Sequence, residues 1–135
     1  MATTRGRVVY TNQVVIDQAD FFEPDGFTRV TGLVIGDLTS ELFFNNVLQP
    51  WSLTDGSATQ DAQVVSGAVL WNEVSGSPGF YNVRFRPNAE GYWRLLINYP
   101  AGTQIMGQDY DVKTQPPFAA PGLRASFVGS SDGPC

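Results

Sequence analysis

The sequence has no histidine, one cysteine and one lysine, and these shortages exclude several kinds of site. Without histidine, the chain lacks the usual general base near neutral pH and the commonest transition-metal ligand. The lone cysteine, Cys135, can form neither an intrachain disulfide nor a cysteine-rich zinc site. Glycine-rich phosphate loops and serine-nucleophile motifs are missing too. Composition leaves a carboxylate-pair glycosidase open, but a small domain offers little room for a cleft, and we expect no enzymatic activity.

Long apolar runs and clusters of basic residues are also missing. No run approaches the roughly 20 apolar residues that span a bilayer. The first seven residues contain arginines without an apolar core behind them, which is unlike a secretory signal. Eight basic residues against thirteen acidic ones give a net charge of −5, and the basic ones are scattered. We therefore expect a protein made in the cytoplasm without a signal peptide, with no affinity for nucleic acid or membrane.

What the sequence does contain is a high share of aromatic residues. Of its 135 residues, 42% are hydrophobic, 13% aromatic and only 16% charged. This length suits one domain that buries a core without disulfides or metals. Surfaces rich in aromatics and poor in charge are typical of protein contacts. The composition favours a subunit of an assembly.

Short β-rich segments recur about every ten residues, separated by turn-forming residues, and no stretch has helical periodicity. The clearest pattern runs from Phe80 to Tyr99, where apolar and polar residues alternate on both sides of a Pro87–Gly91 turn. It predicts an antiparallel strand pair with Arg84 on the wet face. Residues 52–61 are predicted to form a loop. Other predicted strands cover residues 7–16, 27–36 (with a bulge), 42–48, 62–74 and 105–112.

Residues 79–112 carry a recognisable motif of glycine, alternating aromatics and proline. It consists of Gly79, Tyr81, Val83, Phe85, Pro87, Gly91, Trp93, Gly107, Tyr110 and Val112. This stretch resembles the second half of a filamin- or invasin-type immunoglobulin-like repeat. Trp93 stands where that family usually has its corner tyrosine, and Tyr92 lies one place earlier. The resemblance therefore does not imply a tyrosine-corner hydrogen bond.

A wider stretch, residues 27–112, resembles the immunoglobulin-like modules of tailed-bacteriophage virion proteins. The motifs that carry this resemblance are Thr31–Leu33, Leu70–Val74 and Ser77–Tyr81. It implies an all-β, immunoglobulin-like antiparallel β-sandwich with extended N- and C-terminal arms. The implied role is assembly, either as a capsid decoration or cement subunit or as a tail or baseplate component.

The chain divides into three segments on this basis. Residues 1–26 form an N-terminal arm or edge strand, residues 27–112 form the sandwich, and residues 113–135 form a Pro/Gly-rich C-terminal arm ending in the strand-like stretch 123–128. Both end segments keep aromatic or β-branched residues. Such segments either add strands to a neighbouring subunit or wrap their own domain as edge strands, and the sequence leaves both alternatives open.

Several aromatic residues are candidates for a partner-binding surface. They are Tyr10, Phe21, Phe22, Trp51, Phe118 and Phe127. Trp51 follows a proline beside a polar loop, where it could anchor a sugar or a protein. Phe21 and Phe22 lie between carboxylates, and burial against a neighbour or within their own domain remains open. For Trp71 and Trp93 we favour the sandwich core.

One acidic cluster could bind an ion. It comprises Asp17, Asp20, Glu23 and Asp25. Calcium takes six to eight oxygen ligands, but the spacing matches no EF-hand loop. We favour a solvated loop over a Ca²⁺ site and expect no other cofactor.

Together these features predict a virion structural protein, specifically a capsid decoration or cement subunit. Its expected partners are other virion proteins (major capsid or tail proteins) and copies of itself, in a homo-oligomer such as a trimer. The alternative is a phage tail or baseplate component with a face that binds host carbohydrate, for which Trp51 or Tyr92 would be exposed. A small enzyme with two facing carboxylates is a third possibility.

Overall fold

The structure, a computed structural model, describes residues 7–114, which contain nine strands, three short 3-10 turns and no α-helix. The strands are β1 (Arg7–Tyr10), β2 (Val15–Ala19), β3 (Thr39–Phe44), β4 (Val47–Gln49), β5 (Ser52–Asp55), β6 (Ala68–Glu73), β7 (Tyr81–Phe85), β8 (Gly91–Tyr99) and β9 (Gln104–Lys113). The 3-10 turns are Ile35–Asp37, Asp61–Gln63 and Pro100–Gly102. In this part of the chain, no helix has the length and apolarity to cross a membrane.

The strands form two sheets that pack face to face. A five-stranded sheet has the order β1-β9-β8-β3-β4, and a four-stranded sheet has the order β2-β7-β6-β5. The orders β9-β8-β3-β4 and β2-β7-β6 match strands G-F-C-C′ and B-E-D of immunoglobulin variable domains. The predicted all-β sandwich is confirmed. Two of its strand pairs are parallel, β1 with β9 and β5 with β6.

The core consists of the inward residues of both sheets. Trp71, Trp93, Tyr81, Tyr110, Phe21, Phe85, Leu42, Leu95 and Ile97 are each at most 2% exposed. Their rings pack on one another, with centroids 4.6 Å apart for Trp71 and Tyr81 and 5.2 Å apart for Phe85 and Tyr110. The predicted core positions of Trp71 and Trp93 are confirmed.

The predicted pairing of β7 with β8 is wrong. β7 pairs with β2 and β6 in the four-stranded sheet, whereas β8 pairs with β3 and β9 in the five-stranded sheet. The segment between them crosses the sandwich, held by a hydrogen bond from the Trp93 indole nitrogen to the Ala89 carbonyl (3.0 Å) and one from the Asn12 amide to the Pro87 carbonyl (2.8 Å). The alternation of apolar and polar residues identified the inward residues correctly. However, β7 and β8 lie in different sheets and face the same core from opposite sides.

Four other predictions of strands and loops change. The predicted strand 62–74 is a strand only over β6, because residues 61–63 form a 3-10 turn and the chain up to residue 67 is a loop. Residues 27–36 form no strand beyond an isolated bridge between Phe22 and Arg29. Residues 42–48 contain the end of β3 and the start of β4, joined by a two-residue turn in which Asn45 and Asn46 both have positive φ, the backbone twist that tight hairpins favour. The predicted loop 52–61 begins with edge strand β5.

The segments assigned to the arms have separate outcomes. Residues 7–19, predicted as part of an arm or edge strand, form β1 and β2, which lie at the edges of the two sheets. A seam joins these edges: the Tyr110 hydroxyl donates to Asp17 Oδ2, and Arg7 Nη1 contacts Asp17 Oδ1 at 3.0 Å. The C-terminal segment from residue 115 onward lies outside the described residues.

Candidate contact surfaces and site residues

The outer face of the four-stranded sheet is covered by residues 56–67, here called the covering loop. Leu70 and Arg84 are paired on neighbouring strands and point away from the core. They are nevertheless only 5% and 6% exposed. Val64, within the loop, is 1% exposed. Arg84 was predicted on the wet face; that prediction is wrong because the loop folds over it.

Arg84 holds the covering loop in place. One guanidinium nitrogen donates to the Thr59 carbonyl at 2.7 Å and to Asp61 Oδ1 at 2.9 Å, and the other to the Gly56 carbonyl at 2.6 Å. Arg86 adds a bond from Nε to the Val64 carbonyl at 2.6 Å. The guanidinium group satisfies several carbonyls at once, so the loop is part of the fold.

The outer face of the five-stranded sheet carries no such loop among the described residues; we call it the open face. Because Trp93, Leu95 and Ile97 point inward, the residues between them point outward. One row across four strands consists of Asp109, Arg94, Phe43 and Leu48. The residues flanking this row on the open face include Val8, Tyr10, Tyr92, Leu96 and Ile105.

The open face mixes exposed apolar residues with ion pairs. Leu48 is 56% and Ile105 65% exposed, and Val8 at the β1 edge is 54% exposed. Arg94 Nε contacts Asp109 Oδ1 at 2.8 Å, and this hydrogen bond holds the pKa of Asp109 below its usual value. Apolar patches among polar groups are typical of protein contact surfaces.

The candidate aromatic residues lie in different environments. Tyr10 is 40% exposed on the open face, whereas Phe21 is 2% exposed in the core, where its ring lies 5.4 Å from that of Tyr99. Phe22 is half-buried, with the Arg29 guanidinium 5.4 Å from its ring centre. Trp51 is half-buried and packs 5.4 Å from the Trp93 ring. Phe118 and Phe127 lie outside the described residues.

The acidic cluster is not brought together as one site. Asp17 belongs to the seam between the sheets, and Asp20 pairs with Arg29 at 3.2 Å. Asp25 accepts hydrogen bonds from Thr28 and from the Phe27 amide, which lower its pKa. Among residues 7–114, no three metal-ligating side chains converge on one point.

A groove beside β5, here called the acidic groove, has a volume of about 380 Å³. Its described lining is apolar on one side and polar on the other, with Leu33, Val34, Ile35, Trp71, Asp55, Ser57, Asn72 and Glu73. A backbone hydrogen bond from Ser57 keeps the pKa of Asp55 below its usual value. Sequence reasoning missed this groove because it interpreted residues 27–36 as a strand; the apolar run between Gly32 and Gly36 was the available signal.

The loop that forms one wall of the acidic groove is fixed to the sandwich. The Tyr81 hydroxyl accepts from the Leu33 amide at 3.1 Å and donates to the Val30 carbonyl at 2.7 Å. Burial raises the pKa of Tyr81, so the hydroxyl keeps its proton. The Trp71 indole nitrogen donates to the Leu33 carbonyl at 3.1 Å. The groove is thus shaped without any ligand.

A second cavity of about 470 Å³ lies near Tyr99, lined in part by Phe22, Glu23 and Gln104. The Gln104 side chain holds the backbone of Phe22 through two hydrogen bonds, of 2.6 and 2.9 Å. An aromatic ring beside a carboxylate and an amide can stack on and hydrogen-bond a sugar.

No protein-family model matches the chain, and a search of curated proteins found no significant match.

Proposed function

We propose that this chain is a virion structural protein, specifically a capsid decoration or cement subunit that stabilises the shell by binding neighbouring subunits. The observation that supports the proposal is the open face. Its apolar residues are exposed, whereas the outer face of the four-stranded sheet is covered by a loop. The mechanism is binding without covalent chemistry. Contacts that form only in the assembled shell lower the free energy of the shell relative to its separated subunits.

The arrangement of charges on the open face supports a specific contact. Arg94 and Asp109 form a pair in which both side chains are partly exposed, and Lys113 Nζ lies 3.4 Å from Asp111 Oδ2. These paired charges lie on the same face as Leu48 and Ile105, and the exposed carboxylate of Glu41 adds one negative charge that a complementary partner would match. The virion setting itself depends on the sequence resemblance, because one sandwich fold serves many functions.

Binding to particles tests this proposal. Tagged chain is mixed with tailed-phage particles from the source of the gene, and bound protein is measured by cosedimentation. We expect saturable binding to shells and a higher temperature of shell rupture. The double variant Leu48→Ser with Ile105→Ser should weaken binding at least tenfold, whereas the control Phe27→Ser, at a 70% exposed position away from the open face, should not. Absence of binding to shells and tails would overturn the proposal.

A tail or baseplate component that binds host carbohydrate is a second candidate, favoured by the cavity beside Tyr99. Trp51 is a poor probe for this role, because its ring packs on Trp93 and its removal would disturb the core. Glu23 is exposed at the cavity. Glu23→Ala should abolish glycan-array binding and leave shell binding intact if this candidate is correct.

A further inference from the structure

The acidic groove has the features of a preformed docking site. Val34 is 60% and Ile35 36% exposed, although the neighbouring Leu33 is anchored at 7% exposure. Apolar side chains held outward on a fixed loop present a surface that loses little conformational entropy when covered. These two residues therefore mark where an apolar partner would pack.

The polar side of the groove defines the charge of that partner. Asp55 and Glu73 both line it, and its described lining contains no basic side chain. Glu73 accepts a 2.9 Å hydrogen bond from the Gly79 amide and longer ones from the Gly32 amide, which hold the carboxylate in place. A complementary occupant carries one positive charge flanked by apolar groups.

The groove also adjoins an unpaired strand edge. Within the described residues, β5 is the last strand of the four-stranded sheet and pairs only with β6. Its free side offers backbone donors and acceptors to an incoming segment. A peptide segment can satisfy these groups, whereas a small molecule would leave most of them to water.

The chain itself contains a segment with the required chemistry. Residues 123–128 read Leu-Arg-Ala-Ser-Phe-Val, and Arg124 is the only basic residue after Lys113. Leu123 and Phe127 supply apolar groups on either side of it.

The position of the chain exit indicates which copy supplies the segment. Lys113 ends β9 beside Tyr10, near the Asn12–Pro87 contact, whereas the groove lies at the Tyr81 end of β7 and on the opposite sheet edge. Eight residues lie between Thr114 and Leu123, and the nine Cα–Cα steps reach at most roughly 30 Å. They would have to cross both the length and the width of their own sandwich, so a neighbouring copy is the better donor.

We propose that the acidic groove binds residues 123–128 of a second copy of this chain, with Arg124 facing Asp55 and Glu73. The contact is head-to-tail and can close into a ring such as a trimer. The proposal rests on the proposed function only in placing several copies side by side on a shell.

Complementation between two full-length variants tests the proposal. The first, Arg124→Glu, has an intact groove and a disabled segment. The second, Val34→Ser with Ile35→Ser, has an intact segment and a disabled groove; both positions are exposed, so the fold should survive. Val65→Ser, 65% exposed on the covering loop, is the matched control. Light scattering and sedimentation over a range of concentrations measure the mass of each.

We expect the wild type and Val65→Ser to form the same oligomer, and each disabled variant alone to associate at least tenfold more weakly. An equimolar mixture of the two disabled variants should form a heterodimer. A monomeric wild type, unchanged association of either variant, or a mixture that stays monomeric would overturn the proposal. Cosedimentation with particles is measured separately. If the heterodimer forms but the chain binds no particles, only the proposed function is contradicted. If the chain binds particles but the two variants do not complement each other, only the groove proposal is contradicted.

Discussion

Arg84 and Arg94 both point away from the core, one from each sheet, but their surroundings differ. The side chain of Arg84 is 7% exposed and fixes the covering loop through three carbonyl or carboxylate partners. The side chain of Arg94 is 49% exposed and pairs with Asp109 at the surface. An arginine therefore stabilises the fold on one face and forms a surface ion pair on the other. The covering loop buries Leu70 and Arg84 on one face, whereas Leu48 and Ile105 remain exposed on the open face.

The largest expected effect is that of Arg84→Ala. The substitution removes the Arg84 donor from the Thr59 and Gly56 carbonyls, leaves the Gly56 carbonyl with the Thr59 amide alone, and uncovers Leu70. We therefore expect a loss of about 3 kcal/mol in the free energy of unfolding. Urea denaturation measures it, and limited proteolysis should reveal new cleavage within residues 56–67. Arg84→Lys should recover only part of the loss, because an ammonium group cannot reproduce the fork. A loss near zero would show that the loop is held by other contacts.

Gly56→Ala tests the same face by crowding it. A Cβ at residue 56 would lie 2.8 Å from a guanidinium nitrogen of Arg84 and 2.9 Å from Leu70 Cβ. Overpacking of this kind costs about 1–3 kcal/mol. Gly36→Ala is the matched control, since a Cβ there meets nothing within 4 Å. Equal urea midpoints for the two variants would contradict close packing of the covering loop.

The hydrogen bond between Tyr110 and Asp17, which joins the two sheets, predicts that the free energy of unfolding falls at alkaline pH. Burial, with a smaller effect from the hydrogen bond to Asp17, raises the pKa of Tyr110. Unfolded tyrosine ionises near pH 10. Above that pH the unfolded state binds fewer protons than the native state, so the free energy of unfolding falls as pH rises.

Tyr110→Phe should cost about 1–2 kcal/mol at pH 7 through the lost bond to a charged acceptor. It should also flatten the decline of stability above pH 10, although Tyr81, whose pKa is raised too, leaves a residual slope. Thermal unfolding between pH 7 and 11 compares the two proteins. Parallel curves would show that Tyr110 takes no part in the alkaline loss.

Arg94→Ala should have the smallest effect. Exposed ion pairs contribute little to stability, so we expect a urea midpoint indistinguishable from that of the wild type at neutral pH. The pKa of Asp109, now held low by Arg94, should return towards its usual value, which NMR titration of the carboxyl carbon would detect. A loss of stability comparable to that of Arg84→Ala would abolish the distinction between the two faces.

Local alternation was sufficient to predict which residues of β7 and β8 face the core. Tyr81, Val83 and Phe85 on β7 are all at most 1% exposed, as the period of two requires. It could not predict which strands pair, because the same pattern suits a hairpin and two strands that face each other across a sandwich. That choice depends on distant partners, and β2, the antiparallel neighbour of β7, lies more than sixty residues earlier.

Contacts between segments that are distant in the sequence explain the other incorrect predictions. Arg84 has the sequence neighbours of a wet-face residue, and only the fold of residues 56–67 buries it. Likewise, the acidic groove combines residues near positions 33, 55 and 72. No local pattern predicts such convergence, although the apolar run beside Gly36 was visible in the sequence.

The parallel pairing of β1 with β9 has a consequence for how the protein is made. The first described strand finds its only partner in the last, so the five-stranded sheet cannot be completed until Lys113 has been synthesised. At roughly 5–20 residues per second, β1 waits several seconds for β9. During that interval Val8 and Tyr10 are available to any other strand edge nearby, including one on a neighbouring nascent copy. Pairing of β1 with another strand edge and completion of the fold therefore compete in time.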